Sequence, residues 1–333
     1  MKRLLMIPVL LMAAIVVFAG GGSESSGGAG GPTVTGFPTR AVECIIPFGA
    51  GSASDVFARQ YIQIAEKYLG KPITARNLGG AGTTEGMMFA RSQPADGYTI
   101  LEITPSLLIK ELLEKTNFRA NFEPLLKVQN DLQLFGVSKN SPYKTLDALI
   151  AFAKANPGKI KIGGISPGGL DDYIANGFAK AAGFKWTYVP YASSAEAVAA
   201  VYGGELDVYQ DKMINFLPKV QAGDIIPLVV LSEKSYRNIP GLENCPSSKE
   251  KGIDFTQGSW RGFVIKKGAP KEVKDILISA LQKAYADPAY KAMEEKEMTN
   301  LSPGYMEAGA WAKEWDREYN HLEMVFRDLG LLK

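Results

Sequence analysis

Short apolar runs alternate along this chain with stretches of helical spacing, and small-residue turns stand at many of the junctions. Residues 42–48 are nearly continuously apolar, as expected of a strand buried on both faces. Beyond the turn at 49–52, Phe57, Tyr61, Ile64 and Tyr68 recur at helical spacing, and Gly70 ends the helix. Residues 73–77 predict a second strand, 79–86 a second glycine turn, and 87–90 the helix after it. Asp96-Gly97 marks a turn before a third strand at 98–103. This rhythm is doubly wound α/β, an architecture whose ligands sit at the carboxyl ends of the strands.

A second unit repeats the rhythm. Strand-like stretches at 125–137 predict a crossover between two lobes. Leu146, Leu149, Ile150 and Phe152 lie on a helix closed by Asn156-Pro157-Gly158. A strand at 159–163, a third small-residue turn at 164–169 and a helix at 170–182 follow. Next come strands at 186–191 and 206–209 around a helix at 193–202, then a helix at 216–220. A strand at 225–231 is expected to return to the first lobe. Residues 236–250 read as loop and 258–265 as a strand. Helices are expected at 270–285, with Pro270 in its first turn, and at 306–329. The expected division is a signal at 1–19, a tether at 20–37, lobe 1 from 38–128 and 232–333, and lobe 2 from 129–231.

The N-terminus changes the picture of where the protein works. Lys2-Arg3, an apolar run over 4–19 and the small residues that follow have the order of a secretory signal, with cleavage after Ala19. A retained N-terminal anchor is the alternative. Without Lys2 and Arg3 the 37 basic residues become 35, against 35 acidic ones. A formally neutral chain lacks the basic excess of a nucleic-acid partner. Cys44 and Cys245 have no zinc or redox spacing. Export permits a disulfide between them, while Cys44 within a strand equally suits a small buried hydrophobe. His321 is the single histidine, expected on a solvated helix surface, so histidine catalysis and His-rich metal sites are disfavoured.

The candidate chemistry lies in the glycine turns. Ser52, with Asp55 three residues on, fits a capped helix start, whose free N–H groups favour an anion. Gly49-x-Gly51-x-x-Ser54 half-matches a dinucleotide fingerprint, but the third glycine and the later ribose-binding acid are missing. Gly164-Ile165-Ser166-Pro167-Gly168 is a literal G-x-S-x-G. Pro167 has no N–H for an oxyanion hole, so a nucleophile elbow is disfavoured. Ser166 with the N–H groups of Gly168 and Gly169 suits a ligand-holding turn instead. Asp171-Asp172 suit a helix dipole, and Asp55 with Asp211 could form a carboxylate pair.

These residues resemble a known family. Ile46-Pro47-Phe48-Gly49-Ala50-Gly51 with Asp55 and Arg59, Asn77 with Gly80-Ala81-Gly82, and Asp96-Gly97-Tyr98-Thr99 resemble the tripartite tricarboxylate transporter receptors, the Bug or TctC-like solute-binding proteins. Ala155-Asn156-Pro157-Gly158-Lys159, Val189-Pro190-Tyr191, residues 203–208 and Trp260 continue the likeness. It implies two doubly wound α/β lobes joined by crossover strands, the periplasmic-binding-protein or Venus-flytrap arrangement. It also implies a carboxylate held in the cleft, no cofactor, a monomer, and delivery to a large and a small integral-membrane permease subunit.

The ligand-binding positions implied are Phe48, Gly51, Ser52, Ala53, Ser54 and Asp55, then Gly82, Thr83 and Thr104. From the second lobe come Ser166, Gly168, Gly169, Tyr191 and Asp211. The sequence departs from the usual pattern at Asp172, where a His is common, at Thr83-Thr84, where Gly is frequent in the first position, and at Leu78-Gly79. A dinucleotide-dependent or hydrolytic enzyme, and a receptor for a membrane sensor, are the competing readings.

Overall fold

The structure, a computed structural model, describes residues 36–80, 83–165, 167–302 and 304–332. The expected signal and most of the tether lie outside them. Among the described residues no helix is long and apolar enough to cross a membrane.

The first half of the chain builds β1 (Val42–Ile46), α1 (Ala53–Leu69), β2 (Ile73–Asn77), α2 (Thr84–Ser92), β3 (Thr99–Ile103), α3 (Pro105–Glu114), α4 (Phe118–Asn121) and β4 (Phe122–Asp131). There follow β5 (Gln133–Ser138), α5 (Leu146–Ala155), β6 (Lys161–Ile165), α6 (Leu170–Ala182), β7 (Thr187–Tyr191), α7 (Ser194–Gly203), β8 (Val208–Lys212), α8 (Met213–Gln221) and β9 (Ile225–Val230). The chain ends with β10 (Ser259–Lys266), α9 (Lys271–Ala286), α10 (Pro288–Lys296), β11 (Met306–Glu307) and α11 (Ala308–Asp328).

Two mixed sheets result, ordered β11-β4-β10-β3-β1-β2 and β7-β6-β8-β5-β9. The fold is α/β and of the periplasmic-binding-protein kind. In the first sheet β1, β2 and β3 are parallel, and β10 runs against both β3 and β4. The carboxyl ends of β1 to β4 therefore share one edge with the amino end of β10. In the second sheet β6, β7 and β8 are parallel, and β5 opposes β8 with Gln133 facing Lys212. Only Leu132 separates β4 from β5, so the carboxyl edges of both sheets meet at residues 131–133. The Met213 N–H donates to the Leu132 carbonyl at this crossing.

Apolar spacing explains the layers. Phe57, Ala58, Tyr61, Ile62 and Ala65 of α1 are buried against the first sheet and α9, and the Tyr61 hydroxyl donates to the Leu281 carbonyl at 2.7 Å. The final helix, α11, packs on β4, α3 and α6 together, burying Trp311, Trp315, Leu322 and Phe326. Helix starts follow local chemistry: Ser52, Thr104, Thr145 and Ser193 each accept a backbone N–H from the first turn.

Several expectations need correcting. β9 pairs with β5 and stays in the second sheet; the return to the first sheet is made by β10. Tyr236, Ile239, Leu242 and Cys245 of the intervening loop pack with β5, β8 and α8. β6 runs two residues further than expected because Gly163 and Gly164 serve packing. A Cβ there would lie 2.2 Å from Leu206 Cδ1 and 2.5 Å from Gln210 Nε2.

Helices α3 and α10 had no counterpart in the sequence reading. α3 is apolar over most of its positions, which hides its period, and α10 buries little beyond Tyr290 and Glu294. Pro270 is the N-cap of α9, one residue outside it. Cys44 and Cys245 are both buried and free, in different apolar clusters. His321 is half-buried instead of solvated. Its Nδ1 lies 2.7 Å from the Tyr173 hydroxyl, and its ring packs on Tyr173 and Phe255.

Candidate functional site

The first loop is built by its own carboxylate. Ser52 caps α1, its Oγ accepting the Asp55 N–H at 3.2 Å, and Asp55 Oδ2 accepts the Gly51 N–H at 2.8 Å. Gly51 needs its left-handed φ of 78° for this turn. Asp55 Oδ1 takes Arg59 Nε at 2.7 Å and Asn77 Nδ2 at 2.9 Å. Burial pushes the Asp55 carboxyl up, but the bonds from Gly51, Asn77 and Arg59 outweigh it and hold the group below the usual range. The Ser52 N–H is spent on the Gly49 carbonyl. The anion seat expected across the amides of Gly51 to Ser54 therefore narrows to those of Ala53 and Ser54. Neither has an acceptor among the described residues.

The second loop closes on the first. A Cβ on Gly79 would lie 2.6 Å from the Gly49 nitrogen and 2.7 Å from the Phe48 carbonyl carbon. Asn77 fixes the same junction by donating to the Phe48 carbonyl at 3.0 Å. Gly82 lies outside the described residues. Thr83 is the N-cap of α2 with a left-handed φ of 91°, and its hydroxyl is buried without a hydrogen-bond partner among the described residues. Thr104 is buried after β3, with its Oγ engaged by the Ser106 N–H at 3.3 Å.

Across the crossing, Ser166 lies outside the described residues. The Gly168 N–H is taken by Asp172 Oδ2 at 2.8 Å, and Asn176 Nδ2 holds the other oxygen at 2.6 Å. An acid where the family often has a His thus organises its own loop, leaving Gly169 as the N-cap of α6. Burial raises both the Asp171 and Asp172 carboxyls above the usual range. Tyr191 ends β7 half-buried, 3.4 Å from where a Gly163 Cβ would stand. Asp211 binds the Tyr209 hydroxyl at 2.7 Å, the Lys212 N–H at 2.7 Å and Asn215 Nδ2 at 3.0 Å. It does not pair with Asp55. His321 is engaged with Tyr173, so no Asp211–His321 relay exists.

The sequence reading missed the polar floor between these loops. Arg261, at the amino end of β10, is buried with Nη1 2.9 Å from Asp131 Oδ2 and Nε 3.4 Å from Ser54 Oγ. Lys212 Nζ reaches the same Asp131 oxygen at 2.9 Å, and Gln129 Nε2 holds the other at 2.8 Å. Burial opposes ionisation of Asp131, but Lys212 and Arg261 prevail and lower its pKa. Glu102 of β3 is wholly buried beside Ser54 and Arg261, with no hydrogen bond of normal geometry to either carboxyl oxygen among the described residues. Burial pushes it up to about 8, against the opposing pull of Arg261 and Ser54. Charged residues inside the apolar strands Leu101-Glu102-Ile103 and Trp260-Arg261-Gly262 were the available signal.

A surface groove of about 1110 Å³ lined by Lys154, Phe184, Trp186 and Leu329 lies elsewhere, at the amino ends of β6 and β7. Strand-end chemistry therefore marks the opposite edge, where the loops and floor meet.

The described geometry is that of two α/β sheets with polar loops at their carboxyl edges, and comparison with known proteins says which proteins share it. The description "Tripartite tricarboxylate transporter family receptor" matches residues 57–331. The chain belongs to this family. Its members are solute-binding receptors, not enzymes. A UPF0065 protein from the gbd 5′ region of Cupriavidus necator is 29% identical over 305 residues, covering 89% of this chain and 90% of that one.

A TctC solute-binding protein from Polaromonas superposes with a TM-score of 0.78 at 23% identity, covering 88% of this chain and 99% of that one. Malate-bound MatC of Rhodopseudomonas palustris gives 0.65 at 20% identity, over 87% and 99%. An adipate-bound protein of the same organism gives 0.66 at 23%, over 88% and 98%.

Proposed function

We propose that this receptor captures a small carboxylate between its lobes, outside the cytoplasmic membrane, and delivers it to a tripartite permease with one large and one small membrane subunit. The observation that carries the reading is the start of α1. The Ala53 and Ser54 amides carry no acceptor among the described residues there, at the positive end of a 17-residue helix. The first two loops and Thr83 form one wall of the site, and residues 167–169 form the other. Two solved proteins of the same fold hold malate and adipate, both carboxylates, which supports the reading. The signal-like N-terminus supports export.

The lobes close about the crossing at 131–133 and the return before β10, since a ligand touching both lobes favours the closed state. Lobe 1 then comprises 38–128 with the chain from β10 onward. Lobe 2 carries the 232–255 loop as well as 129–231.

A thermal-shift and calorimetric screen of the mature protein tests the reading. Carboxylates should raise the melting temperature where their primary amides do not. Equal responses to acids and amides, or none to any acid, would reject it.

A further inference from the structure

We propose that Lys212 makes this receptor select a doubly charged carboxylate over its singly charged counterpart. The proposal rests on the carboxylate reading above and adds to it the charge class of the ligand.

Lys212 caps α8 at the carboxyl end of β8, on the second sheet. Its side chain keeps 23% exposure, whereas its partner Asp131 keeps 7%. Arg261 approaches the same Asp131 oxygen from the first sheet, so one carboxylate oxygen serves two cations. Ser54, Arg261, Asp131 and Lys212 thus form a continuous chain of contacts of 2.9 to 3.4 Å from the first turn of α1 to the opposite lobe. A first carboxylate seated on the Ala53 and Ser54 amides lies at one end of this chain, and Lys212 at the other.

One further side chain marks the site as built for a polar occupant. Thr83 is 5% exposed and its hydroxyl has no partner among the described residues. Glu102, 0% exposed beside Ser54 and Arg261, is costly to ionise at that depth and is held neutral. The three remaining floor charges leave one cation in excess.

The acids around Lys212 do not cancel it. Asp211 points to the other face of β8, as strand alternation requires. Its oxygens are occupied by Tyr209, Asn215 and its neighbour's N–H. Asp171, on the α6 side, is turned to the Ile165 N–H at 2.9 Å, and burial raises its pKa. Asp55 is matched by Arg59. A monoacid can use only the amide seat. A diacid also recruits Lys212 through a charge-assisted bond.

The test is calorimetry with paired probes: succinate against butyrate, glutarate against pentanoate, and adipate against hexanoate. The wild-type protein should bind at least one diacid about tenfold or more tighter than its monoacid. In Lys212→Met that ratio should fall towards one, and Lys212→Arg should restore it. A preference that survives in Lys212→Met, or a wild type that binds both members of every pair equally, overturns the role of Lys212 while leaving the carboxylate reading intact. A wild type that binds none of the six acids overturns both.

Discussion

Asp55 accepts the backbone N–H of Gly51 at 2.8 Å, so the residue at the start of α1 that resembled a ligand contact is a brace for the loop. It also ties Arg59 and Asn77 to the same point. Replacing it with Ala removes three donors' shared acceptor and should destabilise the fold by about 1–3 kcal/mol. The carboxyl has a lowered pKa, so its contribution is present above the unfolded value of 3.8 and lost as pH falls below it. Denaturant titrations at about pH 6 and pH 3 should therefore show the mutant and wild type converging in acid. A gap of constant size would contradict this role.

Gly79 lets the second loop lie on the first. With Ala at 79, the Cβ at 2.6 Å from the Gly49 nitrogen has backbone on its far side and no flexible tip to move. The two loops must part, and the Ala53–Ser54 seat tilts with them. Ligand affinity should fall about tenfold or more, a loss of roughly 1.4 kcal/mol. Both affinity and melting temperature should be read. Gly79→Ala with wild-type affinity would show that the contact serves stability alone.

How much of this was readable beforehand depends on what each residue answers to. Ser52 announced its helix, because a cap is a local bond between near neighbours. β2 and α6 were legible to the residue because apolar spacing between flanking turns is also a pattern of near neighbours. Arg261, Asp131 and Lys212 were not, because their meaning is a contact between strands far apart in sequence. The amides of Gly51 and Gly168 looked free until the structure showed Asp55 and Asp172 turned back onto them. Backbone donors carry no mark in the sequence of whether a side chain has already claimed them.

Glu102 should make the protein less stable in base. Burial raises its folded pKa from 4.5 to about 8. The unfolded chain ionises near 4.5, so the stabilisation is complete below that pH and is lost as pH climbs through about 8. Glu102→Gln keeps the group neutral throughout. It should gain on the wild type by an amount on the order of a few kcal/mol between about pH 5 and pH 8. Urea midpoints across that range measure the difference. Parallel pH profiles for the two proteins would mean that Glu102 is ionised in the fold.

His321 reports on how α11 holds α6. Its Nδ1 meets the Tyr173 hydroxyl at 2.7 Å, and Lys180 of α6 is also paired with Asp328 of α11. Burial is the main cause of its lowered pKa, Lys180 adds to it, and Asp254 opposes. Protonation is therefore resisted in the folded state. The stability His321 confers is present above its unfolded value of 6.5 and lost as pH falls through the lower folded value. The chain has one histidine, so a proton NMR titration follows it without assignment and should give a midpoint below 6.5. Tyr173→Phe should cost about 1 kcal/mol at pH 8, the ordinary worth of one hydrogen bond. His321→Gln should remove the fall in melting temperature between about pH 7 and pH 5. A midpoint at or above 6.5, or a pH profile untouched by His321→Gln, would mean that the ring is solvated and adds nothing to the hold of α11 on α6.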